Sequence, residues 1–150
     1  MCDFTDLYNL RIDSVRRPTF GRFMTLVGAT PCGEWPARCA LCGGRLRRHG
    51  QKRTTYRDLP YRGGSVAIVV DRLRFRCLSC GKTSLQPVAH VDERYRMTDR
   101  MVESIGLEAT RRPFTAVAAA AGIHEKTVRR IVRERIPQLT TGHSNAAGRR

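Results

Sequence analysis

Cys39-Ala40-Leu41-Cys42-Gly43-Gly44 and Cys77-Leu78-Ser79-Cys80-Gly81 repeat one short pattern, with 34 residues between Cys42 and Cys77. Each Cys-x-x-Cys turns the backbone so that two sulfurs face one point, and the glycines behind permit the sharp turn. Four thiolates from Cys39, Cys42, Cys77 and Cys80 would close a tetrahedron with no position left for water or substrate. The implied Zn2+ is therefore structural, and its binding energy becomes folding energy. A redox Cys-x-x-Cys ordinarily comes singly in a thioredoxin-like setting, so the pairing favours zinc. Cys2 and Cys32 stand apart from the pattern, Cys32 being expected as a partly buried thiol. His49 and His90 lie outside ligand spacing and are expected at the surface or hydrogen-bonded.

Outward from the cysteines the chain reads as strands. Arg45 to His49 and Lys52 to Arg57 are extended segments, and Asp58-Leu59-Pro60-Tyr61-Arg62-Gly63-Gly64 supplies a turn. Ser65 to Cys77 is the clearest strand. Val66 to Val70 are β-formers, and beyond Asp71 the alternation is strict, with Leu73 and Phe75 on one face and Arg72, Arg74 and Arg76 on the other. That row of guanidinium groups either tracks phosphates or is a solvated strand face. Upstream, Arg11 to Arg16 and Gly21 to Gly28 suggest a short hairpin, and the segment 29–36 carries turn residues into the first knuckle. Trp35 either packs on the ribbon as a cap or stacks on a base, and two adjacent turn residues favour packing.

The charge is concentrated. The chain of 150 residues has a net charge of +15 from 28 Lys and Arg against 13 Asp and Glu, and more of the surplus lies between Cys39 and Arg96 than after it. Such a surface attracts a polyanion, most simply nucleic acid. No apolar run is long enough for a membrane, and the acidic start Met1-Cys2-Asp3-Phe4-Thr5-Asp6 is unlike a signal peptide. Cytoplasmic, nucleoid-associated residence is expected, with reduced thiols available for metal.

After His90 to Met97, read as a linker or a strand leading away, the period changes to a helical one. Thr98 can cap a helix carrying Met101, Val102, Ile105 and Ala109 on one face, and Arg111-Arg112-Pro113 ends it. The stretch from Phe114 to Arg133 then has the spacing of a helix-turn-helix. Ala118 is small where two helices touch, Gly122 supplies the turn, and Ile123, Val128 and Ile131 form the inner side of the second helix. Glu125, Lys126, Arg129, Arg130 and Arg133 would face a major groove. His124 stands where such motifs usually carry a capping Ser or Thr. The alternative is an amphipathic helical pair with solvated arginines.

The order of these motifs resembles the N-terminal part of insertion-sequence transposases of the ISL3 family. Carrying the likeness are Cys39-x-x-Cys42-Gly43, Arg47-Arg48-His49-Gly50 leading to Tyr56-Arg57-Asp58-Leu59-Pro60, Gly64-Ser65-Val66, Arg74-Phe75-Arg76-Cys77 and the helix-turn-helix from Phe114, over about residues 11 to 136. The resemblance implies binding to the element's terminal inverted repeats, with cutting and joining left to a following ribonuclease-H-like domain. Catalysis is not carried over, because only a short tail follows Pro137 and the acids Asp58, Asp71, Asp92, Glu93 and Asp99 are scattered. Asp58 is expected to order the turn before Leu59-Pro60.

The expected fold is α+β: an N-terminal hairpin and lead-in over 1–36, a zinc ribbon with basic strands over 37–96, a three-helix helix-turn-helix domain over 97–136 and a flexible tail over 137–150. The expected function is zinc-dependent, sequence-specific binding of double-stranded DNA. Arg72, Arg74, Arg76, Arg47, Arg48, Lys52 and Arg53 would hold the phosphate backbone. No small-molecule substrate is evident. Paired terminal repeats would suit a homodimer, although no heptad seam is visible. A stand-alone regulator or transposition repressor, and a zinc-ribbon protein-interaction module, are the alternatives.

Overall fold

The computed structural model describes residues 10–17, 24–32 and 35–141. Cys2, residues 18–23 and 33–34, and the residues after Thr141 lie outside them. The described residues form seven strands and then three helices: β1 (Leu10–Arg16), β2 (Met24–Pro31), β3 (Leu46–Tyr61), β4 (Gly64–Cys77), β5 (Thr83–Leu85), β6 (Val91–Asp92), β7 (Met97–Thr98), α1 (Asp99–Glu108), α2 (Phe114–Ala121) and α3 (Glu125–Thr141).

The long hairpin β3–β4 is the frame. Its strands pair antiparallel from Leu46↔Cys77 to Tyr61↔Gly64, so the segment 58–60 lies within β3 rather than in a turn. The reversal falls at Arg62 and Gly63, whose φ angles of 48° and 76° are left-handed. A bulge between Arg48 and Gln51 takes up Gly50, at φ 94°. The expected N-terminal hairpin is present as β1–β2, and β2 adds to the frame by parallel pairing with β4 from Met24↔Ser65 to Ala29↔Val70. The sheet order is β1-β2-β4-β3-β7-β6, with β5 beside the far end of β4.

Two cores sit on this frame. Val27, Ala29, Tyr56, Val66, Ile68 and Val70 form one on the sheet, with Val88 and Val91 packed against it. The other is helical: Met101, Val102 and Ile105 of α1, Val117 and Ala118 of α2, and Val128 and Ile131 of α3 close on Tyr95 and Met97. Thr98 begins α1 as its composition suggests, its Oγ1 accepting from the Met101 amide. The segment 90–97 contains strand, as one of its two readings has it, but does not lead away. It folds back as β6 and β7, with Met97 opposite Arg57 of β3, because Tyr95 and Met97 are apolar anchors for the helical core. At the other end α3 runs to Thr141, past the Pro137 where a tail was expected. Proline there removes one backbone hydrogen bond, which a long helix can lose without ending.

Candidate metal centre and nucleic-acid interface

The two knuckles are built alike. In the first, the Gly43 amide donates to the Cys39 carbonyl (2.8 Å) and the Cys39 amide to the Gly44 carbonyl (2.9 Å); in the second, Gly81 donates to Cys77 (3.1 Å) and Cys77 to Lys82 (2.9 Å). Gly43 and Gly81 sit at φ 69° and 73°, where a Cβ is penalised. Gly44 is required for a different reason. A Cβ there would collide with the Ser79 hydroxyl and lie 2.8 Å from the Ser79 Cβ and 3.0 Å from the Cys77 sulfur, so glycine lets the knuckles approach.

That approach brings Cys39, Cys42, Cys77 and Cys80 together, with their sulfurs all within 4.8 Å of one another. Cys39 Sγ lies 3.8 Å from Cys80 Sγ, and Cys42 Sγ 3.4 Å from Cys77 Sγ. Ligand bonds of about 2.3 Å place the sulfurs of a tetrahedral zinc thiolate site about 3.8 Å apart, so the cluster fits the ion closely. Backbone amides prepare the charge. The Cys80 and Ser79 amides hold the Cys77 thiol down to about 6, with burial opposing them, and the Leu41 and Cys42 amides lower Cys39. Cys42 stands at about 11: the Gly44 amide favours its thiolate, but the sulfurs of Cys77 and Cys80 and burial outweigh that donor. One thiolate resists another until a cation joins them. His49 and His90 are not part of the cluster. Cys32 is exposed rather than partly buried, its thiol 3.8 Å from the Thr30 carbonyl.

At the helical end, Gly122 takes φ 65° and closes α2 with two bonds, Ile123 to the Ala118 carbonyl and Gly122 to that of Ala119. This left-handed closure sets the corner between α2 and α3. Val128 and Ile131 turn inward at 0% exposure, and Lys126, Arg129, Arg130 and Arg133 turn outward. His124 serves the start of α3 through its backbone carbonyl, which accepts from Thr127. Arg129 pairs with Glu125 one turn back and lies over the Phe114 ring, while Arg130 lies 4.9 Å from the centroid of Tyr95. Lys126 and Arg133 have no ion-pair partner among the described residues.

Residues 35–80 match the zinc-finger of transposase IS204/IS1001/IS1096/IS1165, and residues 86–136 match the helix-turn-helix domain of transposase family ISL3. Both stretches are thus similar to N-terminal modules of ISL3-family transposases. No curated relative and no solved structure matches it. The two modules and the cysteine cluster make it a zinc-dependent DNA-binding chain, and neither matched module is a catalytic domain.

The basic strand residues expected to touch DNA have different fates. Arg47 and Arg76 face each other across β3 and β4, both exposed, and Arg48, Lys52 and Arg74 are exposed too. Arg53 is exposed but forms a two-pronged pair with Asp71. Arg72 corrects the expected row. It is 5% exposed, donating to the Gln86 carbonyl (2.7 Å), the Tyr56 hydroxyl (2.8 Å) and Glu93 (2.6 Å). The strand alternates as expected, but the segment 86–93 covers that face at Arg72 and leaves it bare at Arg74 and Arg76. Burial and the Glu93 carboxylate push the Tyr56 phenol up to about 12, so it stays a neutral donor within the network.

Asp58 also departs from the turn role that its sequence suggests, lying within β3. Buried at 2% exposure, it accepts from Thr98 Oγ1 (2.6 Å) and Arg100 Nε (2.8 Å), tying β3 to the first turn of α1. Its neighbour Arg57 donates to the Gly122 carbonyl, and Glu134 and Arg135 of α3 meet Arg94, Tyr95 and Asp92. No local pattern marks these contacts, which join residues up to 65 positions apart.

Proposed function

We propose that the chain is a noncatalytic protein that recognises a specific sequence in double-stranded DNA, as the terminal-repeat-binding part of a transposase would. One observation carries this reading: the inner side of α3 is consumed by the core, and its outer side offers Lys126, Arg129, Arg130 and Arg133 to solvent. With α3 in the major groove, a lysine or arginine can reach the N7 and O6 acceptors of guanine, each good pair contributing about 1 to 3 kcal/mol of discrimination. Arg129 must leave Glu125 to do so, an exposed helix pair whose loss costs only about 0.3 to 0.5 kcal/mol. Glu125 then limits which bases are accepted, being repelled by phosphate and able to accept from a cytosine amino group.

Arg47, Arg48, Lys52, Arg74 and Arg76 hold phosphates and read nothing. The zinc bound by Cys39, Cys42, Cys77 and Cys80 supplies rigidity to the strand ends that carry them. The noncatalytic character is supported by the acids, because Asp58, Asp71, Asp92 and Glu93 each face an arginine. A protein of this kind acts with the nucleoid in the cytoplasm. The test is selection of bound duplexes from a random library by zinc-loaded protein. One motif should emerge for the intact chain and none for Arg129→Ala/Arg130→Ala; recovery of the same motif by the double variant would overturn the assignment of α3.

A further inference from the structure

The two basic surfaces are tied to separate points along one strand, β3. Arg57, whose guanidinium donates to the Gly122 carbonyl at the helix-turn-helix corner, is ten positions along β3 from Arg47. At about 3.3 Å per residue, and with one residue lost to the bulge after Arg48, that is roughly 30 Å. One turn of duplex DNA is about 34 to 36 Å, or about 10 base pairs.

The far end is electrostatically one-sided. Residues 35–57 and 72–91, which make up both knuckles and the strand ends beside them, contain no Asp or Glu, while Arg45, Arg47, Arg48, Arg76 and Lys82 cluster there. Arg47 directly opposite Arg76 is an unfavourable pair in isolation, since like charges across strands repel. A polyanion relieves that repulsion. Nor is the spacing free to vary: Asp58 holds Thr98 and Arg100, Arg57 holds the Gly122 corner, and Arg72 holds Glu93 in the segment between the sheet and α1.

We propose that the molecule is a ruler on DNA: while α3 occupies one major groove, the cysteine end binds backbone phosphates about one helical turn, roughly 10 base pairs, farther along the same duplex. The proposal rests on the DNA-binding reading above and adds a second contact at a set distance. Its partner is the phosphate backbone, so it contributes affinity and register without reading bases.

Duplex length and salt together test it. Affinity of the full zinc-loaded chain is measured against potassium chloride concentration on random-sequence duplexes of about 10 and about 22 base pairs, one too short and one long enough for both contacts. The logarithmic salt slope should be steeper on the longer duplex. Arg47→Ala/Arg76→Ala should reduce it there by about 2, near one unit per lost phosphate contact, and leave the short duplex unchanged, while Arg47→Lys/Arg76→Lys retains the slope. Equal slopes on both duplexes for the unmutated chain would overturn the ruler and leave DNA binding standing. So would an equal loss on both lengths in the alanine variant. Failure to bind either duplex at low salt would instead overturn the DNA-binding reading itself. Zinc content of each variant verifies the fold, and the length dependence of the unmutated chain decides the matter even if the alanine variant sheds its metal.

Discussion

At the helical end nine residues between Tyr95 and Ile131 form a buried cluster, drawn from all three helices, β7 and the turn before it. At the cysteine end Phe75 and Cys77 alone are fully buried among the described residues, while Leu41 and Leu78 stand 69% and 62% exposed on the knuckles. One end is held by displaced water and packed side chains. The other has too little apolar surface to hold itself and relies on four sulfurs meeting one ion. Both ends share the hairpin β3–β4, so a perturbation placed at either shows how far order travels along it.

Removal of zinc should have the largest effect. Structural zinc contributes on the order of 10 kcal/mol to small modules that fold around it, and no second core at the knuckles replaces that term. A chelator should abolish amide-exchange protection at Gly43, Gly81 and the Leu46–Cys77 end of the hairpin, while α1 and α2 amides keep theirs. Simultaneous loss of protection at both ends would break the contrast, making the molecule a single cooperative unit. Cys77→Ser/Cys80→Ser should reproduce the chelated state without chelator.

Ile131→Ala tests the opposite end. The side chain is fully buried where the three helices close, so its truncation should cost about 3 kcal/mol in a denaturant titration, within the range of large-to-small core changes. Zinc content should not change. The cost reaches DNA binding only through unfolding, since Ile131 faces away from the exposed arginines of α3.

Asp58→Ala attacks the joint between the ends. It removes a buried carboxylate together with its ion pair to Arg100 and its bond from the buried Thr98 hydroxyl, for an expected loss of about 2 to 3 kcal/mol. Asp58→Asn should recover part of this by still accepting from Thr98. The informative readout is the binding salt slope on long DNA, which should fall when the ruler can swing even though no phosphate-binding arginine has been changed.

Local chemistry accounts for what could be read from sequence. The knuckles were legible because Cys, Gly and spacing act within six residues, and the helix-turn-helix was legible because Ala118, Gly122, Val128 and Ile131 obey one helical period. Asp58 looked like a turn residue for the same local reason, being followed by Leu59-Pro60, yet β3 continues through it and its partners lie 40 and 42 positions away. The segment 90–97 misled similarly. Its charges suggest a linker or a strand leading away, whereas Tyr95 and Met97 among them are core residues and Asp92 and Glu93 are spent on arginines of α3 and β4. Long-range pairing of charged residues leaves no periodic trace.

Arg72 and Arg76 sharpen the comparison at its finest scale. They are four positions apart on β4, point to the same face by alternation, and cannot be distinguished from the sequence around them. Arg72 lies under the segment 86–93 with three partners, and Arg76 lies in the open beside the knuckles. Replacing Arg72 with Met keeps much of its packing volume but leaves the Gln86 carbonyl without its donor and Glu93 without its main cation, for an expected loss of about 1 to 2 kcal/mol. Arg76→Met should change stability by no more than about 0.5 kcal/mol, the usual range for an exposed position. Binding should invert the order. Arg76→Met should reduce the salt slope on long DNA by about 1, whereas Arg72→Met should leave it unchanged once the fraction folded is matched, because a guanidinium already enclosed by Glu93, Tyr56 and Gln86 releases no counterion when phosphate arrives. A reduced slope for Arg72→Met in folded protein would mean that the segment 86–93 lifts away on DNA, and that the row of three arginines is restored in the complex.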